Sequence, residues 1–252
     1  EEVKEIISKY PESKNMFRKF IGATEFLHNK SRWCLWLENV SPEIIKRVPP
    51  IYDAVKKVRE LRASSNREST RKLADIPTLF GEIRQPKTNY LVVPRHSSEN
   101  RRYIPIGYMG ANIICGDANL LIPSASLYDF GIMMSNVHNS WMRAIAGRIK
   151  SDYRYSASIV YNNFPWPLPN NIQKQKIEKT AQNILNARKL YSESSLADLY
   201  NENLMPKELR KAHQQNDIAV MEAYEFEWKH MTESDCVAEL MKMYEKIIKE
   251  EK

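Results

Sequence analysis

Arg148-Ile149-Lys150-Ser151-Asp152-Tyr153-Arg154-Tyr155-Ser156 is followed, within a few residues, by Tyr161-Asn162-Asn163-Phe164-Pro165-Trp166-Pro167. Lys150, Asp152 and Arg154 stand at alternate positions, and in a strand that alternation sends all three side chains to one face. A face carrying Lys, Asp and Arg suits a surface that reads polar edges, such as bases in a DNA groove. The same pattern also describes a solvated strand face with local salt bridges, and spacing alone leaves both readings open. The aromatic, proline-stiffened corner that follows reads as structural. Its Asn side chains can close a turn, and Phe164 and Trp166 can pin a following segment to this one.

Upstream of the corner, Leu127 to Ile145 carries Leu127, Phe130, Met134, His138, Trp141, Met142 and Ile145 at helical spacing, which predicts one helix. Three short segments before it, Tyr90–Val93, Tyr103–Ile106 and Leu120–Ile122, read as strands bounded by Pro, Gly or Asn. Residues 62–75 are dense in Arg, Lys, Ser and Thr. They form either a solvated basic edge or a phosphate-contacting one through Arg62, Arg67, Arg71 and Lys72. Ser41-Pro42-Glu43 is a helix start, and Pro49-Pro50 must interrupt that helix before a second resumes near Ile51 with Val55, Val58 and Leu61 on one side. Arg32-Trp33-Cys34-Leu35-Trp36-Leu37 reads as a buried strand.

After Pro169 the texture changes to three amphipathic helices. They run through Ile177–Arg188, from Pro206 through Ala223, and through Val237–Ile248. Short strands mixed with helices, without a βαβ rhythm, give the class α+β. The expectation is a linker over residues 1–16, or the end of a preceding helix there, then a mixed-sheet domain over 17–168 and a small all-α helical domain over 169–252.

The net charge of +7 is uneven: residues 169–252 hold 13 basic against 15 acidic residues, so residues 1–168 carry +9. That asymmetry fits a polyanion-binding part followed by a near-neutral helical part. Cys34, Cys115 and Cys236 form no C-x-x-C pair, and the N-terminus has no secretory pattern. Both point to a reducing cytoplasm without a disulfide framework. No apolar run approaches a membrane span. Glu1 in place of Met suggests an excised piece of a longer polypeptide.

The search for chemistry is negative. G-x-S-x-G, H-E-x-x-H, P-loop and G-x-G-x-x-G are all missing, and the five histidines lie at no metal-ligand spacing. No catalytic residue, metal or cofactor is therefore expected within this chain. Val48-Pro49-Pro50-Ile51-Tyr52 is similar to the Asp/Asn-Pro-Pro-Tyr motif of amino-methyltransferases. However, Val48 cannot accept a hydrogen bond and Ile51 separates the aromatic from the prolines. His138 sits on an apolar helix face and reads as a core histidine.

Several stretches together resemble the MmeI-like family of DNA adenine methyltransferases, which are often fused to a nuclease. They are Phe20-Ile21-Gly22-Ala23-Thr24-Glu25-Phe26, Arg32 through Leu37, Thr70-Arg71-Lys72-Leu73-Ala74-Asp75, Arg102-Tyr103-Ile104-Pro105-Ile106-Gly107 and Arg148 through Pro167. Ser195-Leu196-Ala197-Asp198-Leu199-Tyr200 and Met205 through His213 resemble that family's helical C-terminal region. The resemblance implies a DNA target-recognition domain plus a C-terminal helical domain. Double-stranded DNA and an upstream methyltransferase domain of the same polypeptide would be the partners. S-adenosylmethionine would be held by that upstream domain.

The resemblance also implies that Lys150, Asp152 and Arg154 contact bases, with a second set near Asp117 and Asn119. Chemistry agrees for the first set. Lys donates to G O6 and N7 while Asp accepts from the paired C N4, so Lys150 and Asp152 suit one G·C pair, and Arg154 suits another guanine. Asn119 suits an adenine edge. Arg62, Arg67, Arg71, Lys72, Arg101 and Arg102 are the phosphate candidates. Two other readings remain: a separate specificity subunit of a multi-subunit restriction–modification system, and a protein-interaction module with an incidental basic surface.

Overall fold

The computed structural model describes residues 1–250, so the last two residues of the expected helical domain lie outside the described residues. The chain forms two compact units. The first gathers Glu1–Ile21, Ser31–Pro86 and Asn112–Ile114. The second gathers Gly22–Lys30, Lys87–Ala111 and everything from Cys115 onward.

In the first unit, residues 1–16 are helix α1 (Glu2–Lys9) and a 3-10 turn (Pro11–Met16), where a linker or the end of a preceding helix was expected. Met16 explains the order, because it is buried in a core with Leu37, Ile45, Val48 and Ile51. Strand β1 (Phe17–Ile21) precedes α2 (Ala23–Leu27), which belongs to the second unit, and pairs antiparallel with β2 (Trp33–Leu35). The apolar run expected to be buried throughout exposes Trp33 by 45% and buries only from Trp36 onward.

Ser41 Oγ accepts from Ile44 N–H at 3.4 Å and caps α3 (Pro42–Arg47). Helix α4 (Pro49–Ala63) takes both prolines into its first turn, where a backbone N–H has no intrahelical acceptor. The proline pair therefore ends one helix and begins the next. Leu61, expected on the apolar side, is 73% exposed. Helix α5 (Glu68–Lys72) and a 3-10 turn (Leu73–Asp75) complete the basic segment.

In the second unit, β3 (Tyr90–Pro94) is buried at every position, which explains its unbroken apolar run. Strand β4 (His96–Ser97) follows. Next come β5 (Gly107–Met109), β6 (Ile114–Cys115, its first residue in the other unit) and β7 (Asn119–Pro123). Strands β5 and β7 flank β3 antiparallel. The expected strand over Tyr103–Ile106 is buried, but among the described residues it pairs with no strand. Ile104 N–H donates to Asn139 Oδ1 at 2.8 Å, so a side chain takes the place of a strand partner.

The single helix expected over Leu127–Ile145 is two, α6 (Leu127–Met133) and α7 (Asn136–Ile145). Ser135 makes the break: its hydroxyl donates to Ile132 C=O at 2.6 Å and accepts from His138 N–H at 3.3 Å. Strands β8 (Gly147–Ile149) and β9 (Asp152–Arg154) then form a hairpin. The tail supplies α8 (Asn171–Lys189), the short α9 (Leu196–Leu199), α10 (Lys207–Ala223) and α11 (Glu233–Glu250).

One core joins β3, α6 and α7 to α8, α10 and α11. The approach of α6 to α8 depends on Gly131, where an added Cβ would lie 2.6 Å from Ile177 Cγ2. Phe164 and Trp166 pack as expected of the corner: Phe164 lies edge-on to Trp141 and Tyr224, and Tyr224 OH donates to Pro165 C=O at 2.8 Å. The fold is α+β, as expected.

Candidate nucleic-acid interface

The hairpin β8–β9 is joined on its other side by β4 in the order β4-β9-β8. Register sets its two faces. His96 lies opposite Arg154, which lies opposite Gly147, while Ile149 lies opposite Asp152. These residues share one face and all are exposed. Gly147 adds openness, since a Cβ there would meet nothing within 4 Å. The reverse face carries Ser97 and Tyr153, both buried.

Arg148 covers the Tyr153 ring at 4.3 Å, donates to Tyr153 OH and Ser151 C=O, and lies 3.8 Å from Glu99. Its charge is thus used to stiffen the hairpin, and the opposite face stays open.

Asp152 and Arg154 occupy the face that alternation predicts. Lys150 does not. It sits at the first central position of the two-residue loop Lys150-Ser151, with φ 57°. A positive φ at that position matches the right-handed twist of the two strands. Lys150 therefore projects from the hairpin tip rather than from the strand. Among the described residues, neither Lys150 nor Arg154 makes a side-chain hydrogen bond or ion pair. Asp152 Oδ1 accepts from Glu99 N–H at 3.3 Å.

Arg95, which the sequence reading missed, ties the second expected set to this hairpin. Its N–H donates to Ala118 C=O at 3.1 Å, its carbonyl accepts from Tyr155 N–H at 2.8 Å, and its Nε donates to Asp117 C=O at 2.7 Å. The 117–119 loop is thereby held beside the end of β9. Asp117 is exposed there. Asn119, expected to read an adenine edge, is only 4% exposed, and its side chain bonds to the Cys115 thiol. Its amide is thus part of the packing. The signal for Arg95 was its place directly after a wholly apolar strand, where a charged side chain must find partners along the chain's exit.

The phosphate candidates divide as well. Arg62 donates to the carbonyls of Leu73, Ile76 and Leu79 at 2.7–3.0 Å, and Arg71 to those of Ser65 and Asn66 at 3.0 Å. Lys72 pairs with Glu68 at 2.9 Å in the open, and Arg67 is exposed. Arg101 is half-buried near Asp152.

Arg102 lies over Tyr103, beside a cleft that Asp217 also lines. Asp217 accepts from Tyr103 OH at 2.6 Å and from Asn136 N–H at 2.7 Å, and burial raises its carboxyl to about 6. His138 is fully buried, 2.9 Å from Tyr155 OH, and burial lowers its pKa to about 3. Its neutral ring is a core element, in line with the apolar-face reading. Among the described residues no group of three or more His, Cys, Asp or Glu is placed to hold a metal, and no helix is long and apolar enough to cross a membrane.

An open charged hairpin whose reverse face is buried in a largely helical core has the geometry of a recognition module. Comparison with known proteins agrees. The family model described as MmeI, target recognition domain, matches residues 1–168, and that described as MmeI, C-terminal domain, matches residues 169–250. The chain belongs to the MmeI family.

DNA methyltransferase A of Bacillus subtilis (strain 168) is 39% identical over 246 residues, covering 98% of this chain and 28% of that protein. The solved structure of the Type IIL restriction-modification enzyme MmeI in complex with DNA is 45% identical, with a TM-score of 0.94, over 98% of this chain and 33% of that one. The chain thus spans about a third or less of the relatives it matches.

Proposed function

We propose that this chain grips duplex DNA and sets the sequence methylated by a site-specific DNA adenine-N6 methyltransferase. Base flipping and methyl transfer would be carried out by a catalytic domain of the same polypeptide. On this reading residues 17–168 recognise the target and the residues from 169 onward form a helical domain. The observation that carries the proposal is the exposed face of Asp152 and Arg154, with Lys150 at its tip and the open space over Gly147.

Lys150 donating to a guanine and Asp152 accepting from its paired cytosine amino group would specify one G·C pair, and Arg154 another guanine. Each contact is worth on the order of 1–3 kcal/mol of discrimination at one position. Asp117 belongs to the same surface, whereas Asn119 contributes by holding the loop. Arg67, Lys72, Arg101 and Arg102 are the candidates left to meet phosphates, because Arg62 and Arg71 are committed to carbonyls.

On this reading S-adenosylmethionine is held by the catalytic domain, in keeping with the methyltransferase named among the similar proteins.

The test is to express the full-length gene in a methylation-free host and map modified bases across the genome. One motif with a methylated adenine is the expected result. An unmodified genome, together with DNA binding by the purified protein that is absent or indifferent to salt, would overturn the proposal.

A further inference from the structure

A polar cleft of about 420 Å³ opens beside the hairpin, lined by Ser98, Asn100 and Arg101 on one side and by Ala197, Asn201, Glu202 and Asn203 on the other. Its two walls come from either side of the boundary between the two family models. The first wall is a turn closed by Arg101 N–H donating to Ser98 C=O at 3.1 Å. Asp152 Oδ1 buttresses that turn through Glu99 N–H, so the cleft is coupled directly to one of the proposed base readers.

The second wall is a turn organised by Asn201. Its carbonyl accepts from Leu204 and Met205 N–H, and its Oδ1 accepts from Asn203 N–H at 3.0 Å.

The chemistry of the cleft is that of unused donors. Among the described residues the Arg101 guanidinium makes no side-chain hydrogen bond, although burial lowers its pKa, with Asp152 opposing. The amide nitrogens of Asn100, Asn201 and Asn203 are likewise unengaged among the described residues. Glu202 is the one acid in the lining, and Arg210 holds its carboxylate at 2.6 Å and its carbonyl at 2.9 Å. A half-buried cation with several amide donors and a neutralised acid calls for a compact ligand rich in oxygen acceptors.

We propose that this cleft seats one phosphodiester of the DNA strand read by Asp152, with Arg101, Asn201 and Asn203 as its donors. The helical region thereby contributes a DNA contact of its own. The inference rests on the DNA-reading proposal and adds a phosphate position to it.

The experiment measures binding of the full-length protein to duplexes that carry its motif, with a neutral methylphosphonate placed at one phosphate at a time. In the unaltered protein, neutralising one phosphate beside the base pair read by Asp152 should weaken binding about tenfold. Arg101→Gln should bind the unmodified duplex about tenfold more weakly and be indifferent to that substitution. Asn201→Asp keeps the oxygen that accepts from Asn203 N–H, so the turn survives, but it sets a negative charge at the cleft. It should bind better when that phosphate is neutral.

Variants with the wild-type sensitivity profile would overturn the cleft and leave the DNA reading standing. A loss in Arg101→Gln without any change in Asn201→Asp would overturn the contribution of the helical region. Failure of the unaltered protein to bind its unmodified motif would overturn both proposals.

Discussion

The segment Arg62–Asp75 and the hairpin Arg148–Arg154 are both rich in basic residues, yet they use their charge in opposite ways. In the first, two of the four cations turn inward. Arg62 and Arg71 close the segment on itself by donating to backbone carbonyls. In the second, Arg148 does the internal work, and Lys150 and Arg154 remain unpaired among the described residues. Composition measures charge, but recognition depends on donors and acceptors left over once the fold has satisfied its own backbone. By that measure the hairpin keeps its donors and acceptors open, as the proposed reading surface requires, and the basic segment spends half of its cations on its own backbone.

The largest expected effect comes from the buried face of the hairpin. Tyr153→Ala removes the ring on which Arg148 lies and should cost about 3 kcal/mol of local stability. Hydrogen exchange should accelerate across β8 and β9 while the basic segment stays unchanged. Equal acceleration in both would break the contrast between them.

A pH effect of similar size should appear in the hairpin's own unit. Asp217 titrates near 6 when folded, so between about pH 4 and 6 the folded protein retains a proton that the unfolded chain has released. Its contribution is complete below that window and lost as pH rises through it. The change is on the order of 3 kcal/mol, and Asp217→Asn should abolish it. Denaturation of both proteins across the window is the check, and identical pH profiles would refute the assignment.

Arg62→Ala should lower stability by about 2 kcal/mol, since three carbonyls lose a charged donor, and should leave the recognised motif intact. A changed motif without loss of stability would move Arg62 back among the DNA contacts. The smallest effect belongs to Arg67→Ala. It should weaken binding to all sequences alike and reduce the salt slope by about one. An unaltered slope would return Arg67 to a solvated surface role.

Much of this was legible in the sequence. Alternation placed Asp152 and Arg154 correctly, because their neighbours Tyr153 and Tyr155 had to be buried. It misplaced Lys150, since Lys-Ser at the tip carries no Gly or Asn to announce a turn with positive φ. The helix break at Ser135 was also readable, for Ser135-Asn136 is a cap signal that apolar spacing on both sides concealed.

Other features could not be read locally. Tyr103–Ile106 has strand composition but is satisfied by Asn139, 35 residues from Ile104. The carbonyls that occupy Arg62 lie 11 to 17 residues downstream. Asn119 was expected at a reading surface from family resemblance, and only packing shows that its side chain points into the protein.

If the hairpin specifies a base pair, reversing its chemistry should reverse that pair. The double exchange Lys150→Glu with Asp152→Arg suits the opposite orientation of the same pair, with the acid accepting from cytosine and the arginine donating to guanine. Methylated motifs would be mapped for the full-length enzyme and for this variant in the same methylation-free host. The expected motif changes from G to C at a single position and is otherwise retained. An active variant with an unchanged motif would contradict it.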